Sequence, residues 1–81
     1  MILNSIELFS KRLKMLREER GWDQVQLADQ LETSKSNISM YESGKRKPGY
    51  DMLCKMVEVF GESSDFIMGI NNVRKQKKIA Q

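Results

Sequence analysis

Four glycines divide the chain into short segments and thereby limit the helices that it can form. Gly21, Gly44, Gly61 and Gly69 each follow a stretch in which apolar residues recur every three or four positions. That recurrence places apolar side chains along one face of a helix, and glycine readily adopts the left-handed conformation that ends a helix. No segment alternates apolar and polar residues as a half-buried strand would. The sequence therefore predicts an all-α fold, a compact bundle of five short helices.

Capping residues define the starts of several of these helices. Asp23 and Ser34 can accept hydrogen bonds from the first amides of the second and third helices, and Ser63 or Ser64 can do so for the fifth. The helices are predicted at about residues 6–20, 24–31, 35–43, 50–60 and 64–68. The connections between them are short, as is usual in a compact helical bundle.

The charges are distributed unevenly along the chain. Its 81 residues include 14 basic and 11 acidic side chains, a net charge of +3. Four of the basic residues lie in residues 71–81, which have little to anchor them, so we expect a frayed basic tail after a domain of residues 1–70. Within that domain, acidic residues concentrate in residues 18–32 and an uninterrupted basic triplet occupies residues 45–47. This separation favours one face that binds a polyanion.

The residue types that the chain lacks argue against several classes of function. It has one cysteine, no histidine and no clustered carboxylates, so we expect no metal site and no nucleophile activated by a general base. No glycine-rich phosphate loop is present, and we expect no cofactor. The apolar runs are too short to cross a membrane, and no signal peptide is recognisable. We therefore expect a cytoplasmic protein that is not an enzyme, with Cys54 as a small buried hydrophobe.

The third predicted helix has an unusual outward face. Ile38 and Tyr41 share one side of it and are its natural core contacts. The outward positions are Lys35, Ser36, Ser39, Met40 and Ser43. An ordinary exposed helix is rich in Glu, Lys, Arg and Gln, whereas serine is a poor helix former. Small polar groups beside a methionine suit base edges and thymine methyl groups in a DNA major groove, but a short exposed helix that tolerates serine fits this composition equally well.

The surroundings of this helix favour DNA binding. Two short helices joined by a three-residue turn form the arrangement in which the second helix enters a major groove. Gln24 lies at the start of the first of these helices, where free amides and the helix dipole favour a phosphate group. The basic loop, residues 45–47, follows the second helix directly and is placed to lie along the DNA backbone. The sequence thus predicts a domain that binds double-stranded DNA.

Three stretches of the sequence resemble a known family. They are RLKMLREERGWDQ at residues 12–24, ISMYESGKRKP at residues 38–48 and FIMG at residues 66–69. They are similar to the lambda-repressor-like, Cro/C1-type (Xre) helix-turn-helix domains, and the similarity extends over about residues 9–69. The resemblance implies a sequence-specific transcriptional regulator. We expect a repressor that binds a palindromic DNA operator as a homodimer.

The resemblance implies roles for individual residues. Lys35, Ser36 and Met40 match positions that reach base edges, with Ser34, Asn37 and Ser39 beside them. Phosphate contacts are implied for Gln24, Ser43, Lys45, Arg46 and Lys47. Arg17 and Glu42 match a partly buried ion pair that joins the first helix to the third, which is the recognition helix that enters the major groove. Such a pair acts through orientation more than through net stability.

Two positions depart from the family pattern. Glu32 occupies the turn position that usually holds glycine, so a residue with a side chain has to adopt the left-handed conformation at a cost of roughly 1 kcal/mol. Met40 occupies a position where a polar or basic residue often contacts the bases. We interpret Met40 as an apolar contact for a thymine methyl group.

Two other functions fit the same sequence. The serine and methionine face could bind a groove on another protein, as in an antitoxin or an adaptor built on this fold. Salt-insensitive binding to a protein, without DNA affinity, would identify that function. Alternatively, the acidic surface of the second helix, with Asp29 and Glu32, could contact a polymerase and make the protein an activator. A transcription assay separates an activator from a repressor.

Overall fold

A computed structural model describes residues 5–74, and these residues form five α-helices and no strand. The helices are α1 (Ser5–Glu19), α2 (Gln24–Gln30), α3 (Lys35–Glu42), α4 (Tyr50–Phe60) and α5 (Ser64–Ile67). The predicted all-α bundle of five short helices is confirmed, and no predicted helix end differs from the observed one by more than one residue. Within the described residues, no helix combines the length and the apolar character that crossing a membrane requires.

Side chains cap the helices as the sequence predicts. The Asp23 carboxylate accepts a hydrogen bond from the Gln26 amide at 2.8 Å, and the Gln26 side chain accepts one from the Asp23 amide at 2.8 Å. Ser34 accepts from an amide in the first turn of α3 at 3.1 Å, and Ser63 does the same for α5 at 3.1 Å. These bonds satisfy amides that have no partner within their own helix, which sets where each short helix begins.

The core lies between α1 and the four shorter helices. α1 contributes Phe9, Leu13 and Leu16, and the Phe9 ring meets the Tyr41 ring edge-on with 5.9 Å between their centroids. The other buried apolar residues are Leu27, Ala28, Leu31, Ile38, Met56, Phe60, Phe66 and Ile67. α3 packs against both α1 and α2. An isolated helix of this length would be only marginally stable, so these core contacts hold α3 in its position.

Cys54 is exposed, so the prediction of a buried cysteine is wrong. The side of α4 that packs into the core carries Met56 and Phe60. Cys54 lies two positions before Met56, and two residues advance by about 200° around a helix, so Cys54 lies on the other side of α4. The apolar character of a cysteine alone therefore does not establish its burial.

The beginning of the C-terminal segment is held to the domain. Arg74 donates hydrogen bonds to Glu19 on α1 at 2.9 and 3.0 Å and to Glu62, which follows α4, at 2.9 Å. The expectation that the tail has little to anchor it is therefore wrong for residues 71–74. The partners of Arg74 lie 12 and 55 residues away in sequence, so no local pattern indicates them. The other basic residues of the tail, Lys75, Lys77 and Lys78, lie outside the described residues.

Two arginines share one aromatic ring where this segment meets α1. The guanidinium carbons of Arg12 and Arg74 lie 4.0 and 5.0 Å from the centroid of the Phe66 ring. Arg12 also donates to the Asn72 side chain at 2.8 Å. Burial and the positive charge of Arg74 lower the pKa of Arg12, whereas hydrogen bonding to Glu19 raises the pKa of Arg74. The carboxylates thus compensate for the repulsion between two cations placed side by side.

Candidate nucleic-acid interface

The turn between α2 and α3 holds a glutamate in a conformation that glycine usually adopts. Glu32 has a φ angle of 59°, as the sequence predicts for this position. Lys55 on α4 stabilises the turn, since its Nζ lies 3.2 Å from the Glu32 carboxylate and donates to the Leu31 carbonyl at 3.4 Å. The Thr33 amide donates to the Ala28 carbonyl at 2.9 Å. The backbone hydrogen bond therefore determines how α3 follows α2, and the largely exposed Lys55–Glu32 pair adds little to it.

α3 presents one face to the core and another to solvent. Ile38 is fully buried and Tyr41 is 4% exposed. The outer face consists of the exposed residues Lys35, Ser36, Ser39 and Ser43 and of the half-buried Met40. Among the residues that the structure describes, none forms a hydrogen bond or an ion pair with the side chains of Lys35, Ser36 or Ser39. Their polar groups are available to an external partner.

Asn37 uses its side chain inside the protein. Its Nδ2 donates to the Thr33 hydroxyl at 3.0 Å and to the Tyr41 hydroxyl at 3.3 Å, and its Oδ1 accepts from Arg46 at 2.6 Å. A carboxamide has two N–H donors, and both are engaged here. A base contact donated by Asn37 Nδ2 would require one of these bonds to break, whereas Oδ1 has a second lone pair with which it can still accept from a base. In this structure Asn37 links the turn, α3 and the basic loop.

The serines at the two ends of α3 also bond to the helix itself. The Ser34 oxygen caps the helix, and its hydroxyl proton stays available to another acceptor. The Ser43 hydroxyl donates to the Met40 carbonyl at 3.2 Å. A phosphate oxygen needs a donor, so a phosphate contact by Ser43 requires this hydroxyl to turn away from Met40.

An ion pair joins α3 to α1, as the resemblance implies. Arg17 Nε lies 2.7 Å from Glu42 Oε2 and Arg17 Nη2 lies 3.0 Å from Glu42 Oε1, with the two side chains 11% and 5% exposed. This hydrogen bonding raises the pKa of Arg17. Arg17 also donates to the Trp22 carbonyl at 2.8 Å, and Gln24 donates to Glu42 Oε1 at 3.1 Å. The negative charge of Glu42 is therefore compensated within the protein.

Positive and donor groups flank the outer face of α3. Lys45 and Lys47 in the basic loop are exposed, and neither has an ion pair within residues 5–74. Arg46 is also exposed but donates to α3, as described above. Gln24 at the start of α2 uses one of its two side-chain N–H groups inside the protein and keeps the second for another acceptor. Cations and donors around a small polar strip match the groups that a DNA duplex presents.

The arrangement agrees with a known family. A family model described as helix-turn-helix matches residues 13–67, which include the later part of α1 and all of α2 to α5. The chain belongs to this helix-turn-helix family, of the Cro/C1 type. The crystal structure of a transcriptional regulator from Listeria innocua has the same fold, with a TM-score of 0.71 and 26% identity over 90% of this chain and 64% of that one.

Two relatives from Bacillus subtilis (strain 168) are named HTH-type transcriptional regulators. ImmR is 34% identical over 68 residues, which cover 84% of this chain and 54% of ImmR. AnsR is 35% identical over 69 residues, which cover 85% of this chain and 57% of AnsR. The chain thus spans little more than half the length of these relatives. Their names agree with the expectation, drawn from the missing catalytic residues, that this helix-turn-helix protein is not an enzyme.

Several contacts that support the recognition helix α3 were not predicted from the sequence. They are the hydrogen bonds of Asn37 to Thr33 and to Tyr41, which was predicted only as a core residue, and the contacts of Lys55 with the turn. Asn37 and Tyr41 are spaced four residues apart on α3, which indicates that they share one side of the helix, and Thr33 lies four residues before Asn37 in the preceding turn. Lys55 gives no such signal, because it lies 24 residues from the carbonyl that it contacts.

Proposed function

We propose that this domain binds double-stranded DNA with the recognition helix α3 in the major groove and that it regulates transcription. The observation that carries the proposal is the outer face of α3. Lys35, Ser36 and Ser39 have no partner within residues 5–74, while the opposite face of the same helix is buried. A helix whose inner face is buried in the core and whose outer face has unpaired polar groups can enter a major groove about 12 Å wide. The names of the relatives support the same function.

Base contacts and phosphate contacts come from different residues. Lys35, Ser36 and Met40 contact base edges, with Ser34 and Ser39 beside them. Gln24, Ser43, Lys45, Arg46 and Lys47 contact phosphates, and Asn37 holds α3 and the basic loop in register. Base contacts supply sequence selection, whereas phosphate contacts supply affinity that falls with salt. Arg46 exchanges its bond to Asn37 for a phosphate, so it contributes less net affinity than Lys45 or Lys47.

Repression follows from occupation of a palindromic operator by a homodimer in the cytoplasm. Two copies place their recognition helices in successive major grooves, roughly 34 Å apart, and block a promoter. The activator alternative has less support. Of its two acidic residues, Glu32 lies 3.2 Å from Lys55, which compensates its charge, so Asp29 is left as the acid without an ion pair among the described residues.

Selection of bound duplexes from a random pool, followed by titration of the selected site, tests this function. Binding should weaken steeply between about 50 and 200 mM salt. Lys35→Ala should relax the preference at one base position and cost about 1–3 kcal/mol on the selected site, whereas Lys45→Ala should weaken all duplexes alike. Lys14→Ala, at an exposed position on α1, is the matched control and should leave binding unchanged.

Three results would count against parts of the proposal. Identical effects of Lys35→Ala and Lys45→Ala on all duplexes would contradict the division between base and phosphate contacts. No DNA binding at low salt would contradict the function itself. Salt-insensitive binding to a protein, without DNA affinity, would replace it with the antitoxin or adaptor function.

A further inference from the structure

α4 carries an apolar stripe outside the one that it buries in the core. Tyr50, Leu53, Cys54 and Val57 occur at positions i, i+3, i+4 and i+7. This spacing defines one continuous helix face, and it is the spacing through which helices pack against each other. Tyr50 is 82% exposed, Cys54 is exposed, and Leu53 and Val57 are half-buried at the edge of the core. We call these four residues the outer stripe of α4.

The outer stripe lines an open groove. Glu58 near the end of α4 and Ser64 at the start of α5 complete its walls, and its volume is about 350 Å³. Tyr50 extends most of its ring into solvent at the rim of the groove. The same face therefore offers a projecting aromatic ring and an apolar depression. An interface between identical surfaces needs both features on one surface.

We propose that a second copy of this chain packs its α4 antiparallel against this groove, with the two-fold axis at Cys54. Tyr50 and Glu58 each lie four residues from Cys54 along the chain. The axis therefore places Tyr50 of each copy opposite Glu58 of the other. The Tyr50 hydroxyl donates to that carboxylate, and this bond occurs twice. The interface has an apolar centre and a charge-assisted hydrogen bond at each end.

The positions of Tyr50 and Glu58 favour a second copy over a different protein. Within one chain the two residues lie about 12 Å apart along α4, so they do not pair with each other. An antiparallel second copy gives each of them a partner, because it places its own Glu58 beside Tyr50 and its own Tyr50 beside Glu58. The face has only the 11 residues of α4, so the interface is small and the dimer dissociates readily. This inference specifies the homodimer of the proposed function and rests on that function only for the use of the dimer on DNA.

Sedimentation of the full chain without DNA tests the pairing. The unaltered chain should show a reversible monomer–dimer equilibrium. Tyr50→Glu or Glu58→Lys alone should raise the dissociation constant of the dimer about tenfold or more, because each removes the complementary contact. The double substitution Tyr50→Glu and Glu58→Lys restores opposite charges across the axis and should restore dimerisation. Both residues are exposed, and circular dichroism monitors the fold of each variant.

Crosslinking tests the position of the axis. Helices packed about 8–10 Å apart bring facing Cα atoms at the crossing point within the range of a disulfide. Mild oxidation with copper phenanthroline should therefore join two copies rapidly through Cys54. The control moves the thiol to an exposed position on α1 by combining Cys54→Ser with Lys14→Cys, and this variant should crosslink slowly.

A chain that stays monomeric up to about 1 mM overturns this inference. A dimer whose Cys54 thiols do not crosslink and that Tyr50→Glu leaves intact also overturns it. Neither experiment contains DNA, so the two proposals fail separately. Sequence-specific DNA binding by a strict monomer contradicts the interface and the homodimer on the operator but leaves DNA binding by α3 standing, whereas a Cys54-linked dimer that binds no DNA contradicts only the proposed function.

Discussion

Two arginine–glutamate clusters fasten different parts of this domain, and they differ in how far they are removed from solvent. Arg17 and Glu42 join α1 to the recognition helix, with side chains 11% and 5% exposed. Arg74 joins the C-terminal segment to Glu19 and Glu62, but its own side chain is 34% exposed. The first cluster orients the helix for which we propose DNA contacts, and the second holds the segment that follows α5.

The difference in burial predicts a difference in energy. When one partner of a buried ion pair is removed, the other charge stays in a low-dielectric environment without compensation. When the partly exposed Arg74 is removed, water can solvate Glu19. Glu62 is fully buried, but it keeps a further interaction and the positive charge of Arg12 nearby, so its charge is not left uncompensated. Loss of an arginine–glutamate contact should therefore lower the free energy of unfolding much more at α3 than at the C-terminal segment.

The largest effect is expected for Glu42→Ala. It leaves Arg17 buried without its carboxylate and should lower the free energy of unfolding by about 3–5 kcal/mol. Urea unfolding measures the loss, and Glu18→Ala, at an exposed glutamate on the same helix as Arg17, is the matched control. DNA affinity per folded molecule should also fall, because α3 loses the contact that orients it. A loss below about 1 kcal/mol would show that burial does not set the energy of this pair.

A smaller effect is expected for Arg74→Ala. It removes the bonds to Glu19 and Glu62 and should lower the free energy of unfolding by about 1–2 kcal/mol. DNA affinity per folded molecule should not change, because Arg74 contacts no part of the helix-turn-helix from α2 to α3. Lys11→Ala removes an exposed positive charge from α1 and controls for net charge. If Arg74→Ala lowers the free energy of unfolding as much as Glu42→Ala does, the predicted energetic difference between the two clusters is wrong.

The smallest effect is expected in the turn between α2 and α3. Its Glu32–Lys55 ion pair is more exposed than either arginine–glutamate cluster. Glu32 and Lys55 have side chains 77% and 40% exposed. Glu32→Gly relieves the left-handed strain, and it should raise the free energy of unfolding by less than about 1 kcal/mol because the lost ion pair contributes little. Thermal or urea unfolding of Glu32→Gly beside Lys55→Ala separates the two contributions. A loss of stability in Glu32→Gly would mean that the ion pair outweighs the strain.

The sequence predicted most of the fold because its signals are local. Apolar periodicity, the caps at Asp23 and Ser34 and the glycine stops all act within a few residues, so they specify helices and their ends. The burial of Ile38 and Tyr41 follows from the same periodicity. The outer face of α3 was predicted for the same reason, since the face opposite a buried stripe is exposed.

The errors concern partners that are distant in sequence. Arg74 belongs to a basic run by composition, but Glu19 and Glu62 hold it to the domain. Cys54 lies in a helix with two apolar stripes, and periodicity does not determine which of them meets the core. The base contact that the resemblance implies for Asn37 stays a prediction, but its bond to Arg46 could not be predicted from the sequence, because only the folded chain brings the two side chains together.

The central claim is that the outer face of α3 meets a DNA duplex. Titration of the isotopically labelled chain with a selected duplex at low salt, followed by amide chemical shifts, tests it most directly. The amides of α3 and of the basic loop, residues 45–47, should shift most, together with Gln24, while those on the exposed side of α1 should not. Largest shifts on α1, or no shifts on addition of duplex, would contradict the claim.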